Sequence, residues 1–185
     1  MVVPTVTVIT VSGNYTPPVG FKYIKVHAIG GGGRGGAATA QGASGGGAGQ
    51  VVFDYYNTVK TYTVVIGTNA GSGAAITNTV FDGVLTANGG SPGTDSSAAT
   101  QRGGFSSQTI SDKRLFATSG YCGGPSAAGN GGSNMFGSGG RGAVDVSSVN
   151  GGNGVGFGGG GGGGFGAAGS GGAGSAGAVI VFEYY

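Results

Sequence analysis

The residue types that could do covalent chemistry are few in this chain, and their spacing decides most of the reading. Gly42-Ala43-Ser44-Gly45-Gly46 fits the G-x-S-x-G pattern of a serine nucleophile, and His27 is the only histidine available to activate it. That pattern needs a strand before the serine, a helix after it and a histidine later in the chain. Here the serine sits in a glycine tract and His27 precedes it, so the match is one that glycine richness produces by itself. His27 reads as an exposed or interface strand residue. Gly137-Ser138-Gly139-Gly140-Arg141-Gly142 matches G-x-G-x-x-G, but no helix signal follows it to hold a phosphate. Asp54, Asp82, Asp95, Asp112 and Asp145 are scattered, and single carboxylates of this kind are turn formers rather than metal ligands. Gly151-Gly152-Asn153-Gly154-Val155-Gly156 has glycine where a calcium-binding β-roll needs aspartate. Arg34-Gly35-Gly36 and Arg102-Gly103-Gly104 are two copies of a motif that binds RNA only when repeated along a strongly basic chain. Cys122 stands alone and reads as a small buried residue. The expectation is no enzyme, no metal and no cofactor.

The composition agrees. Of 185 residues 49 are Gly, 8% are charged, 9% are aromatic, and the formal net charge is +2. So small a charge gives little electrostatic capture of nucleic acid or anionic membrane. No apolar run approaches the ~20 residues of a membrane-spanning helix. The opening Met1-Val2-Val3-Pro4-Thr5 lacks the basic region of a signal peptide. Disorder would call for low hydrophobicity and high net charge, whereas 38% of the residues are hydrophobic. Ordering 49 glycines costs on the order of 50–100 kcal/mol, with no side chains to bury in return. Backbone hydrogen bonding and close backbone packing must offset that cost. Collagen needs glycine at every third position and abundant proline; this chain has five prolines and no sustained triplet.

Between the glycine tracts lie short strand patterns. Val2–Val11 alternates Thr with Val, and Phe21–Ile29 puts Ile24, Val26 and Ala28 on one face with Lys25 and His27 on the other. Gln50–Tyr56 and Lys60–Gly67 read as a hairpin around Asn57-Thr58. Asp82-Gly83 marks a tight turn within Asn78–Thr86. Gly89–Gly104 reads as a loop, and Asp112-Lys113-Arg114 as a turn between Thr109-Ile110 and Leu115-Phe116-Ala117. Ala178–Tyr185 closes the chain as another strand. No segment has a helical period. The fold class is all-β: a small β-sandwich or barrel-like domain with long Gly-rich loops, for which polyproline-II packing is an available arrangement because only glycine permits the approach. Residues 1–11 read equally as an attachment arm or as the first strand of the domain at 12–185.

The run Ser12-Gly13-Asn14-Tyr15-Thr16-Pro17-Pro18-Val19-Gly20 through Ile29-Gly30-Gly31-Gly32-Gly33 resembles the opening of the glycine-rich domains of bacteriophage tail fibre and virion proteins. Tyr62-Thr63-Val64-Val65-Ile66-Gly67, Thr79-Val80-Phe81 with Leu85-Thr86-Ala87-Asn88-Gly89-Gly90, and Gly177-Ala178-Val179-Ile180-Val181-Phe182-Glu183-Tyr184 follow in the same order as that family's later motifs. Family members often end a longer fibre protein, and only Met1–Val11 precedes the domain here. The resemblance implies a virion protein at a fibre tip, spike or tail surface that contributes to attachment. Its partners would be other virion proteins and a host surface receptor, either a glycan or an outer-membrane protein, and it would be a homotrimer by analogy with fibres. Tyr121, Phe136, Arg141, Phe157 and Phe165 are the receptor-contact candidates. Rigid rings on a Gly/Ser background gain contact area at low entropic cost. The same rings read alternatively as plugs that anchor the loops. A purely structural decoration or connector protein is the second reading, and an ice-binding or coat-type Gly-rich protein the third.

Overall fold

The computed structural model describes residues 3–39, 41–69, 77–95, 127–144 and 149–185. Among these residues ten strands form: β1 (Thr5–Ile9), β2 (Gly13–Tyr15), β3 (Tyr23–Ile29), β4 (Val51–Tyr56), β5 (Tyr62–Val65), β6 (Thr79–Phe81), β7 (Leu85–Ala87), β8 (Gly137–Ser138), β9 (Val155–Gly156) and β10 (Ala178–Tyr184). One sheet has the order β1-β10-β3-β4 and a second the order β2-β5-β6-β7, each antiparallel throughout. The two pack as a small β-sandwich, and no helix or closed barrel forms among the described residues.

The alternation in the sequence decides which side chains meet. Ile24, Val26 and Ala28 of β3, Val52 of β4, and Val179 and Val181 of β10 join Tyr15, Tyr62, Val64, Phe81 and Leu85 of the other sheet in one buried core. The rings of Tyr62 and Phe81 stack with centroids 5.0 Å apart. β6 and β7 are joined by the Asp82-Gly83 turn, both residues left-handed (φ 56° and 68°), closed by Val84 N–H donating to the Phe81 carbonyl at 3.2 Å. Thr5–Ile9 pairs with β10 inside the first sheet.

One expectation fails. β4 and β5 are not a hairpin, because β4 pairs with β3 and β5 lies in the opposite sheet between β2 and β6. Residues 57–61 cross from one sheet to the other. The reason is burial: Tyr56 and Tyr62 meet edge to face inside the core, centroids 5.5 Å apart, which a flat hairpin would prevent.

The glycine tracts are the second half of the fold. After β3, residues 30–38 run away from the sandwich and 42–50 return. Gly30, Gly33 and Gly36 N–H donate to the carbonyls of Gln50, Gly47 and Ser44 at 2.8–2.9 Å. Gly32, Gly35 and Ala38 donate to Ser175, Gly172 and Gly169 of the tract at 169–177, each at 2.8 Å. Bonds recurring every third residue, with a different neighbour on each face, are the repeat of the polyproline-II helix. Tracts 88–95, 127–133, 139–144, 149–154 and 158–165 join the same bundle, some parallel and some antiparallel to their neighbours. What the sequence offered as loops is thus largely an ordered backbone bundle.

Candidate functional site

The seven consecutive glycines Gly158–Gly164 explain how the bundle holds together. They occupy its axis, hydrogen-bonded within a ring of six tracts. Gly161 N–H donates to Gly33, Gly46 donates to Gly161, Gly160 to Gly132, Gly140 to Gly160, Gly162 to Gly152 and Gly172 to Gly162, at 2.8–2.9 Å. A Cβ on Gly161 would strike the Gly172 carbonyl, one on Gly162 the Arg141 carbonyl, and one on Gly163 the Ala43 carbonyl. With every face packed on main chain, only glycine fits at the axis. Peripheral tracts carry side chains instead. Asn150 and Asn153 Oδ1 accept the N–H groups of Ser170 and Ala173, both at 2.9 Å, so outer amides that lack a neighbouring tract are satisfied by asparagine.

The bundle has two unlike ends. At one, the tracts continue into β3, β4, β7 and β10. Buried Thr79 ties this junction by donating to the Ile29 carbonyl at 2.7 Å and accepting from Gly67 N–H at 2.9 Å. At the other end the tract ends at 38 and 42, 95 and 127, 144 and 149, and 165 and 169 come together, the last two joined through a turn at Gly166 (φ 79°). Asp95 fixes the end of its own tract. Its carboxylate accepts from Ala37 N–H at 2.8 Å and pairs with Arg34 at 3.2 Å. Thr39, Asp95, Val144, Ala167 and Ala168 are exposed there. This far end is the candidate functional site. No group of three or more His, Cys, Asp or Glu able to hold a metal occurs among the described residues. Ser44 is fully buried in the bundle, where its hydroxyl accepts from Thr94 N–H at 2.7 Å.

The receptor-contact candidates scatter over this frame. Phe136 and Phe157 sit at the sandwich end beside β8 and β9, packed on Ile29, Val51, Ala178 and Ile180. Phe165 lies at the far end but is buried. Phe136 and Phe157 are each half-buried, and the packing of the three rings is compatible with the anchoring alternative. Arg141 is exposed on the flank of the bundle, its carbonyl accepting from Gly152 N–H at 2.8 Å. Tyr121 lies outside the described residues, as do Cys122, Arg102-Gly103-Gly104 and the Asp112-Lys113-Arg114 turn.

His27 is also corrected, since it is 6% exposed rather than a surface residue. Phe53, Phe136 and Phe182 surround its ring at centroid distances of 5.9, 5.8 and 5.2 Å, and neither ring nitrogen has a hydrogen-bond partner. Burial, and then the Lys25 ammonium, lower its pKa to about 4, so it is neutral at pH 7.

A profile of the glycine-rich domain matches residues 7–156, from β1 into β9. The chain belongs to the glycine-rich domain family. No curated protein matches it. The matched span of this glycine-rich domain takes in the second sheet, the first sheet without β10 and most of the tracts, and stops short of the axial glycines.

What sequence reasoning missed is the arrangement by which backbone tracts bring distant tract ends to one end. The signal was present as the uninterrupted Gly158–Gly164, a run that only an all-round packed backbone requires. It also missed the aromatic outer face of the first sheet. There Tyr23, Lys25 and His27 of β3 and Phe53 and Tyr55 of β4 alternate with the core residues.

Proposed function

We propose that this glycine-rich domain is a bacteriophage virion protein that contributes to host-cell attachment through the far end of its bundle. The observation that carries the reading is the convergence of four pairs of tract ends on one end of a backbone rod whose other end is fused to a sandwich. A tract of eight residues at about 3.1 Å per residue sets that end about 25 Å from the sheets. Such a scaffold presents loops for contact and contributes no reactive groups of its own. The ordered motifs shared with phage glycine-rich domains supply the biological setting. Several copies per particle, with a homotrimer as the simplest fibre-like assembly, would add avidity for a repeated host receptor.

A purely structural virion role is the second reading, favoured by the packing of Phe136, Phe157 and Phe165 into the fold. Replacing residues 97–125 by a short Gly-Ser linker separates the two. Asp95 and Ala127 both adjoin the tract at 42–50, through Ser44 N–H to Thr94 and Gly129 N–H to Ala43, so a short linker closes the gap. Particles carrying the replacement are expected to assemble normally and to adsorb to host cells at least about tenfold more slowly. Normal adsorption by intact particles would overturn the attachment reading in favour of the structural one.

A further inference from the structure

The outer face of the first sheet is organised in rows, and these change character from one end to the other. Nearest the bundle, Ala178, Ile29 and Val51 lie side by side on β10, β3 and β4, followed by Ile180, His27 and Phe53. Phe136 and Phe157 reach over this part. The next row is Val6, Phe182, Lys25 and Tyr55. At the end remote from the bundle, Tyr184 is level with Tyr23, with Asn57 following Tyr56 on the neighbouring strand. Antiparallel sheets that face water on one side ordinarily alternate apolar with polar residues. Here the outer face too is mostly apolar or aromatic, and its remote rows are left bare.

Those rows have the wall chemistry of a small-molecule site. Tyr23 stacks on Tyr184, centroids 4.5 Å apart and planes 15° apart, so its ring is held in place. Tyr55 tilts against Tyr23 at 6.1 Å and meets Phe53 edge-on at 6.1 Å. A cavity of about 390 Å³ opens between Tyr23, Tyr55, Tyr56 and Asn57, within the range of ~300–1,000 Å³ usual for small ligands. Tyr23 is 38% and Tyr55 55% exposed. Their hydroxyls and the Asn57 amide bond no described residue. The Lys25 ammonium lies over the rings of Phe53 and Tyr55, 4.9 and 5.9 Å from their centroids, with no ion-pair partner among the described residues.

We infer that this cavity is a saccharide-binding site that takes one pyranose ring of a glycan. A pyranose has flat faces of C–H groups and a rim of hydroxyls. The electron-rich faces of Tyr23 and Tyr55 meet the C–H groups, and the two phenols and the Asn57 amide meet the hydroxyls. Lys25 sets the charge preference: a cationic ligand is repelled although the rings are aromatic, and a sugar bearing a carboxylate is favoured over its neutral counterpart. The site lies at the opposite end of the molecule from the converging tract ends and stands whether or not those contact a host receptor.

Saturation-transfer NMR on the purified chain with methyl glucoside, methyl galactoside, N-acetylglucosamine and galacturonate tests it. The expected result is transfer to the C–H protons of at least one sugar, with a Kd of about 1–10 mM. It should weaken at least about tenfold in Tyr23→Ala and in Tyr55→Ala. Asn57→Ala, which leaves the rings in place, should weaken it less. A circular-dichroism spectrum and melting curve like the parent's confirm that each variant is folded. No transfer from any of the four sugars, or transfer undiminished in folded Tyr55→Ala, overturns the assignment. Self-association in sedimentation velocity that Tyr23→Ala and Tyr55→Ala abolish also overturns it, since the face would then belong to a second copy. Repeating the titration on the 97–125 replacement separates this inference from the attachment reading, because sugar binding should be unchanged there.

Discussion

His27 and Glu183 show two ways of placing a polar group inside this sandwich, and the two respond oppositely to replacement. His27 lies among three phenylalanines with both nitrogens unpartnered, and its pKa falls from 6.5 to about 4. The unfolded chain therefore binds the proton more readily than the folded one. The protonation-linked cost of His27 is absent above pH 6.5, and stability falls as the pH drops from about 6.5 to about 4. The full loss is about 3 kcal/mol. In urea denaturation, His27→Leu should remove most of that pH dependence and leave stability at pH 8 equal or higher, since no buried nitrogen then goes unpaired. A pH profile unchanged by the substitution would place the sensitivity elsewhere. Glu183 is 2% exposed and accepts from Tyr15 at 2.8 Å, Thr7 at 3.0 Å and Tyr185 at 3.1 Å. These bonds join β1, β2 and the end of β10. Burial and the adjoining carboxylate push the Tyr15 phenol well above its ordinary value. Glu183→Gln replaces charge-assisted bonds by neutral ones and should cost about 1–2 kcal/mol in the same assay.

At the scale of elements, the strands and the tracts obey different packing rules. A strand tolerates or needs side chains on both faces, whereas an axial tract tolerates none. Gly161→Ala should therefore be far more damaging than its single methyl group suggests. Overpacking ordinarily costs about 1–3 kcal/mol because side chains shift aside, but here the obstacle is the Gly172 carbonyl, held in its own hydrogen bonds. The expected result is a loss of at least about 3 kcal/mol in melting or urea curves, or failure to fold. Gly13→Ala, in β2 with nothing within 4 Å of the added atom, should change stability by less than about 0.5 kcal/mol. Equal effects of the two would refute close backbone packing as the reason for the glycines. Much of this scale was legible in the sequence. The alternation of Ile24, Val26 and Ala28 assigned the core face of β3, and Asp82-Gly83 marked the turn between β6 and β7. The β4–β5 connection was not legible, because period and propensity locate a strand without saying which sheet it joins. Nor was the burial of His27, which depends on Phe136 arriving from more than a hundred residues away.

For the whole molecule, the consequence is a division of labour along one axis. The sandwich supplies the hydrophobic core and the bundle supplies reach. The tract ends at 95 and 127 are separated from the core by the length of the bundle, so replacing what lies between them should cost little stability. The 97–125 replacement is accordingly expected to melt within a few degrees of the parent while altering adsorption, a combination that mutations in the sandwich should not produce. A large drop in melting temperature would mean that these residues are part of the packing. The site candidates divide along the same axis: Phe136 and Phe157 anchor the sandwich end, Phe165 is buried at the far end, and Arg141 is exposed between them.

The sequence by itself determined the all-β class, the core face of β3, the Asp82-Gly83 turn and the need for glycine to pack backbone on backbone. These follow from local terms: side-chain alternation, left-handed turn geometry and the room a Cβ takes. Only the tertiary structure decided that β4 and β5 belong to different sheets, that His27 is enclosed, and that four pairs of tract ends meet at one end. It likewise decided that Tyr23, Tyr55 and Asn57 surround one cavity. Each of these depends on which distant segments become neighbours. In a bundle of nearly identical glycine tracts, that choice comes from register and chain connectivity, which no local pattern records.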